Sequence, residues 1–364
     1  MLSYVTAAEE AAAAEDLHRR QLTDGLPVVL PTRSRVEEMV LASGHDAELS
    51  LGAVGPSGAA ATIEVVAANA VMAGCLTQHF PVVLAAVRAA CDPRFDLTEI
   101  QVTTHPITPL ILVNGPVRQL AGLASGYGAF GPGHRANACI GRALRLVLMN
   151  VGGGRPGVSD MAVMGSPAKF TFCAAENEEA SPWEPLHVSR GCTAGQSAVT
   201  LLAVEGGHSV LCAPMPDDCT DRAVPAALDA IGSALGGLGA NSTYLGTGDV
   251  AVIINPQTAR LLAEGGFDRR AVQRELATRV QHPRRVLRAR NPFLIGAGEP
   301  EQLLPPRDPS TIVVAVTGGR GNYVMVCPTL GASPHHHPSI TQEVELGQFC
   351  AIPQAGAAAA ARSP

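Results

Sequence analysis

The sequence predicts an α/β protein in which short buried strands alternate with helices, arranged as two α/β lobes. Three observations point there. Compact apolar runs at Leu110–Val113, Ala198–Val204, Val250–Ile254 and Ile312–Val316 have the length and composition of buried strands. Between them lie segments with apolar residues on one side at helical spacing, most clearly from about 134 to 151. Turn residues separate these pieces: 38 glycines and 28 prolines are about 18% of the 364 residues, below the roughly 25–30% of low-complexity chains.

Taken in order, residues 1–20 read as a peripheral N-terminal helix, acidic at Glu9, Glu10 and Glu15 and basic at His18, Arg19 and Arg20. Thr32 is placed to cap a helix through Val36, Met39 and Val40. A Gly/Pro-rich link, 51–61, leads to a helix capped by Thr62 and ending at Gly74. Pro81 starts the next at the first-turn position that proline tolerates. The run Leu110–Val113 is a strand closed by Asn114-Gly115-Pro116. The glycine loop SGYGAFGPG, 125–133, then feeds a helix striped by Arg135, Arg142 and Arg145 and stopped by Gly152-Gly153-Gly154. Strands at 198–204 and 208–213, a helix over 223–238, a strand at 250–254, two helices over 257–280 broken at Gly265-Gly266, and a strand at 312–316 complete the pattern. The division expected is an N-terminal lobe over 21–195, a C-terminal α/β lobe over 196–352 and a flexible tail over 353–364.

A formal charge of −6 and a sequence pI near 6.0 argue against nucleic acid as a partner, because phosphate neutralisation needs a basic footprint. No apolar run approaches a membrane span, and the N-terminus is acidic where a signal peptide would be basic, so the expected location is cytoplasmic. Nine cysteines with no CxxC pair fit reduced thiols packed as small hydrophobes.

Chemistry concentrates between residues 105 and 187. A glycine loop entering a helix presents free amides and the positive end of the helix dipole, which suits a carboxylate or phosphate. Arg135 and Asn137, in the first turn, are the nearest side chains to such an anion. The loop is neither a Walker loop nor a dinucleotide fingerprint. Downstream, Lys169, Cys173, Glu176, Asn177, Glu184 and His187 surround the only tryptophan, in a loop stiffened by Pro182 and Pro185. Acids, a thiol and an imidazole in one stretch are the materials of acid–base and nucleophilic chemistry. Cys75 is a second candidate thiol. His335-His336-His337 is the one cluster suggesting a metal, but consecutive extended residues point to opposite faces, so no metal ligand is assigned. No cofactor motif is evident.

The stretches TDGLPVVLPT (23–32), NAVMAGC (69–75), TTHP (103–106), SGYGAFGPGHRANACIGRALRLVL (125–148) and PAKFTFCAAENEEASPWEPLH (167–187) resemble a bacterial family of mostly uncharacterised proteins associated with small UGSC-type proteins. The resemblance covers roughly residues 20–340. It departs from the family pattern at Leu22 and Leu30, where tryptophan and proline are expected. It implies work beside a thiol or selenol partner protein, and it marks Glu64, Asn69, Cys75, His105, Asn114, Ser125, Arg135, Asn137, Arg142, Lys169, Cys173, Glu176, Asn177, Glu184 and His187 as candidates without assigning roles.

The expectation is therefore an enzyme, or the substrate-binding subunit of one, acting on a small anionic metabolite by thiol-assisted redox or lyase chemistry, with a homo-oligomer as the expected assembly. Catalysis would fall to Cys173, Glu176, His187 and Cys75. Substrate binding would fall to His105, Asn114, Ser125, Arg135, Asn137, Arg142, Lys169, Asn177 and Glu184. The alternatives are a non-catalytic scaffold for a small redox protein and a metal-dependent hydrolase.

Overall fold

The computed structural model of the protein describes residues 10–212, 220–303, 307–330 and 337–346. Cys219, Cys350, His335, His336 and the tail 353–364 lie outside them. The elements run α1 (Glu10–Arg19), α2 (Arg33–Ser43), β1 (Ser50–Val54), β2 (Ala59–Thr62), α3 (Ile63–Ala73), α4 (Phe80–Ala90), α5 (Leu97–Gln101), β3 (Thr108–Asn114), α6 (Val117–Leu120), α7 (Arg135–Asn150), β4 (Cys173–Ala175) and α8 (Leu186–Ser189). They continue β5 (Ala198–Val204), β6 (His208–Leu211), α9 (Thr220–Leu235), α10 (Asn241–Leu245), β7 (Val250–Ile254), α11 (Pro256–Glu264), α12 (Arg269–Arg279), α13 (Arg284–Arg290), β8 (Ile312–Val316), β9 (Tyr323–Cys327) and β10 (Ile340–Glu343). This is the α/β class expected.

Local chemistry sets the helix ends. The Thr62 hydroxyl accepts the Val65 amide, and Gly74 closes α3 in the left-handed conformation at φ 86°. Pro81 sits in the first turn of α4. At α2 the Thr32 side chain makes no capping bond, so only the position of that start was legible. The link over 51–61 is in fact the β1–β2 hairpin, whose small residues pair through their backbones and carry little side-chain signal.

Two four-stranded sheets stack face to face. Their orders are β10-β5-β3-β4 and β6-β9-β7-β8. Each has one parallel pair, β3 with β4 and β7 with β8, and its other pairings are antiparallel. Alternation along the strands separates three cores. Ile111, Val113, Val199 and Leu201 face α3, α4 and α7. Val250, Val252, Ile254, Val314 and Val316 face α9, α11 and α12. Leu110, Leu112, Leu202, Val204, Ala251, Ile253, Val313 and Ala315 meet between the sheets. The result is four layers, helix–sheet–sheet–helix. Both faces of the central strands are buried, which is why they read as unbroken apolar runs.

The chain crosses between the sheets twice. After β5 it leaves the first sheet, and β6 pairs with β9 in the second; after β9 it returns, and β10 pairs with β5 in the first. The expected boundary at 195/196 therefore runs through paired strands, since β5 bonds along its whole length to β3. Strands β9 (Tyr-Val-Met-Val-Cys), an apolar run outside the expected strands, and β10, which has little sequence signal, complete the two sheets. No described helix is long and apolar enough to cross a membrane.

Candidate functional site

The polar residues of the first sheet gather where β3 and β4 end, the usual place for sites in parallel strands. Strand β3 ends in Asn114-Gly115. Gly115 has φ 82°, and a Cβ there would lie 2.2 Å from the Gln196 carbonyl, so only glycine permits the turn. Strand β4 runs directly into Glu176, Asn177, Glu178 and Glu179.

Glu176 is fully buried and has four donors. Its Oε2 accepts from Asn114 Nδ2 and from the Leu186 amide, both at 2.6 Å. Its Oε1 accepts from Arg269 Nη2 at 3.0 Å and from the Val316 amide at 3.2 Å. A buried carboxylate is tolerated only when paired and fully hydrogen-bonded, and these donors come from β3, α8, α12 and β8. Glu176 thus joins both sheets. Around it the Asn177 amide donates to the Val316 carbonyl at 2.7 Å, and the Thr317 hydroxyl to the Ala175 carbonyl at 2.9 Å.

A second carboxylate set lies beside the first. Glu178 accepts from Asn114 Nδ2, the Gly115 amide and Arg118 Nη2 at 2.9, 2.8 and 2.8 Å. Arg118 also grips Glu179, and its hydrogen bonds hold the Glu179 carboxyl below the usual carboxylate range. His187 is wholly buried, 4.0 Å from Glu178, and neither ring nitrogen has a hydrogen-bond partner among the described residues.

Arg269 links this buried cluster to the surface. It donates to the Glu184 carbonyl at 2.7 Å and to the Val314 carbonyl, and its guanidinium lies 5.8 Å from the centre of the Trp183 ring. Above it opens a groove of about 1270 Å³, walled by Trp183, Glu184, α8, the first half of α12 and the start of β10. Five arginines line it, Arg94, Arg190, Arg269, Arg270 and Arg274, against three carboxylates, Glu184, Asp268 and Asp308. Asp268 caps α12 through the Ala271 amide, and Arg94 pairs with Asp92. Arg270 and Arg274 are exposed one turn apart and form no ion pair with a described residue.

Of the sequence candidates, Asn114, Glu176, Asn177 and His187 come together in the buried cluster, and Glu184 lines the groove. Ser125 is tied to the same end of the sheets: its carbonyl accepts the Gly318 amide at 2.8 Å, and Gly319 lies against the Tyr127 ring, so close that a Cβ would clash. The remaining candidates lie elsewhere. His105 is at the opposite end of β3, 3.1 Å from Glu205. Asn137 staples the glycine loop through the Ala124 and Ala129 backbone. Lys169, the only lysine, pairs with Asp160 at 2.6 Å; burial pushes its pKa down against that partner.

The arginine stripe of α7 has structural partners on every residue. Arg135 donates to the Gly74 carbonyl, Arg142 holds Asp24 and the Leu26 and Pro27 carbonyls, and Arg145 is buried on Lys169 O, Gln101 and Thr108. Cys173 faces the helical core, and burial pushes its thiol far above the ordinary range; burial likewise raises Cys75. Thiols held protonated in this way are poor nucleophiles. The side chains that the sequence reading missed are those of α12. Eight arginines between 269 and 290 are a visible signal, but a helix rich in bases reads as an ordinary solvated face.

No protein-family model, curated protein or solved structure matches the chain.

Proposed function

We propose that the protein captures a small, multiply charged anionic metabolite in the groove between α8, α12 and β10, and acts on it as an enzyme or as the substrate-binding subunit of one. The observation that carries this reading is Arg270 and Arg274, two exposed guanidinium groups with no described carboxylate partner, facing one concave space with Arg190 and Arg269. Arginine forks suit carboxylate and phosphate oxygens, and Trp183 offers a flat apolar wall. The volume slightly exceeds the roughly 300–1,000 Å³ usual for small-ligand sites. Glu184, exposed in the same wall, is the carboxylate placed to exchange protons with the bound molecule. No described cysteine lines the groove, so the anionic substrate expected from sequence is kept and the thiol is not. Seven described cysteines are free, in keeping with a reducing, cytoplasmic setting.

Titration of the full chain with inorganic pyrophosphate and with citrate tests the reading. Binding that weakens with added salt is expected, and Arg270→Gln with Arg274→Gln should weaken it by about tenfold or more. Glu184→Gln should leave it intact or strengthen it. Failure of both anions to bind at low salt, or an unchanged affinity in the double variant, would sink the proposal.

A further inference from the structure

We propose that Asp96, Glu99 and His337 form a site for a divalent first-row transition-metal ion, at the point where the chain returns to the first sheet. Each of the three offers a ligand atom, and these atoms all lie within 4.8 Å of one another. Asp96 and Glu99 share one face at the start of α5, three residues apart; His337 comes from the segment leading into β10.

The imidazole carries the argument. His337 is only 2% exposed, and its Nδ1 lies 3.1 Å from the Phe95 carbonyl. A carbonyl oxygen accepts and cannot donate, so Nδ1 bears the proton and in the neutral ring Nε2 presents its lone pair. That Nε2 is buried, makes no hydrogen bond with a described residue, and lies 3.3 Å from Glu99 Oε2. A lone pair facing a carboxylate oxygen at this distance is repulsive, and a metal ion bound by both atoms relieves that repulsion. An Nδ1–H held by a backbone carbonyl is also the orientation in which metal-ligating histidines are commonly fixed.

The donor set selects the ion. Two carboxylates and a neutral imidazole leave two negative charges, matching a divalent cation. Mg²⁺ and Ca²⁺ favour shells made of oxygen, whereas one nitrogen with two oxygens suits Zn²⁺, Co²⁺ or Mn²⁺. Glu99 is about one-third exposed, which leaves a solvent side for water to complete the shell. Bound there, the ion would tie α5 to β10, and so to the edge of the first sheet. The site stands independently of the arginine groove, and failure of either proposal leaves the other in place.

Co²⁺ added to chelator-treated full-length protein tests the site, because ligation by imidazole and carboxylates gives visible d–d absorption. Saturation near one equivalent is expected, and Glu99→Gln and Asp96→Asn should each weaken binding by about tenfold or more. His335→Ala with His336→Ala should leave it unchanged. Zn²⁺ should raise the thermal midpoint of the wild type and not that of Glu99→Gln. The proposal is overturned if no cobalt spectrum develops, if Glu99→Gln binds as the wild type does, or if binding is lost only in the His335/His336 double variant; the last two results would place the ion elsewhere. A buried His337–Glu99 ion pair without metal predicts the first of these outcomes.

Discussion

At the residue scale, Glu176 decides how the two sheets meet. It is fully buried with Arg269 at 3.0 Å, and removing one member of such a pair leaves the other as an uncompensated charge, a loss of about 3–5 kcal/mol. Glu176→Gln keeps the shape but turns an amide NH₂ toward a donor. A fall in unfolding free energy of about 3 kcal/mol or more is expected in urea. The double variant Glu176→Gln/Arg269→Met should lose less than the sum of the single changes; strict additivity would show that the pair is not coupled. Glu176, Asn177 and His187 could be picked out because a polar stretch interrupted by Pro182 and Pro185 is rare in a chain with only 16% charged residues. Arg269 could not. Its neighbours in sequence say that it starts a helix, and nothing local says that a carboxylate 93 positions away will meet it. Arg135 and Arg142 failed in the opposite direction: spacing shows that they share a helix, but not that carbonyls of other segments wait beside it.

At the scale of elements, the helix ends follow from local rules, and one of them predicts a response to pH. His79 precedes α4, is 2% exposed, and its Nδ1 accepts the Leu76 amide at 3.1 Å, which requires that nitrogen to be unprotonated. Burial, and then the charge of Arg135, lower its pKa from 6.5 to about 4. Between those values the unfolded chain holds the proton and the folded chain does not. Stability attributable to His79 therefore rises with pH across this window and is lost as the solution is acidified from about 6.5 toward 4. Urea midpoints measured at both ends of the window should differ more in the wild type than in His79→Gln. Equal differences would remove His79 as the source. Strands divided by burial: β3, β5, β7 and β8, buried on both faces, were legible as apolar runs, whereas β10 (Ile-Thr-Gln-Glu) has three polar residues in four and is a strand only because the edge of β5 is there to pair with it.

At the scale of the whole molecule, each half repeats one plan, a parallel pair, an antiparallel third strand and a fourth strand given by the other half. The exchange leaves no local mark in the sequence, because pairing partners are chosen by long-range register rather than by propensity. It has a consequence for folding. Removing either half would strip one strand from the sheet that remains, and in the first sheet it would expose the apolar edge of β5. Trp183 lies between β4 and β5 in sequence but packs against the core of the second half, where its Nε1 donates to the Phe267 carbonyl at 2.9 Å. Its fluorescence therefore reports on the junction, while far-UV circular dichroism reports on all four layers. With strands exchanged and Glu176 buried across the junction, the two signals should change together in one urea transition. A fluorescence change completed well before the loss of helix signal would mean that the halves separate first and keep their structure, which the shared sheets do not permit.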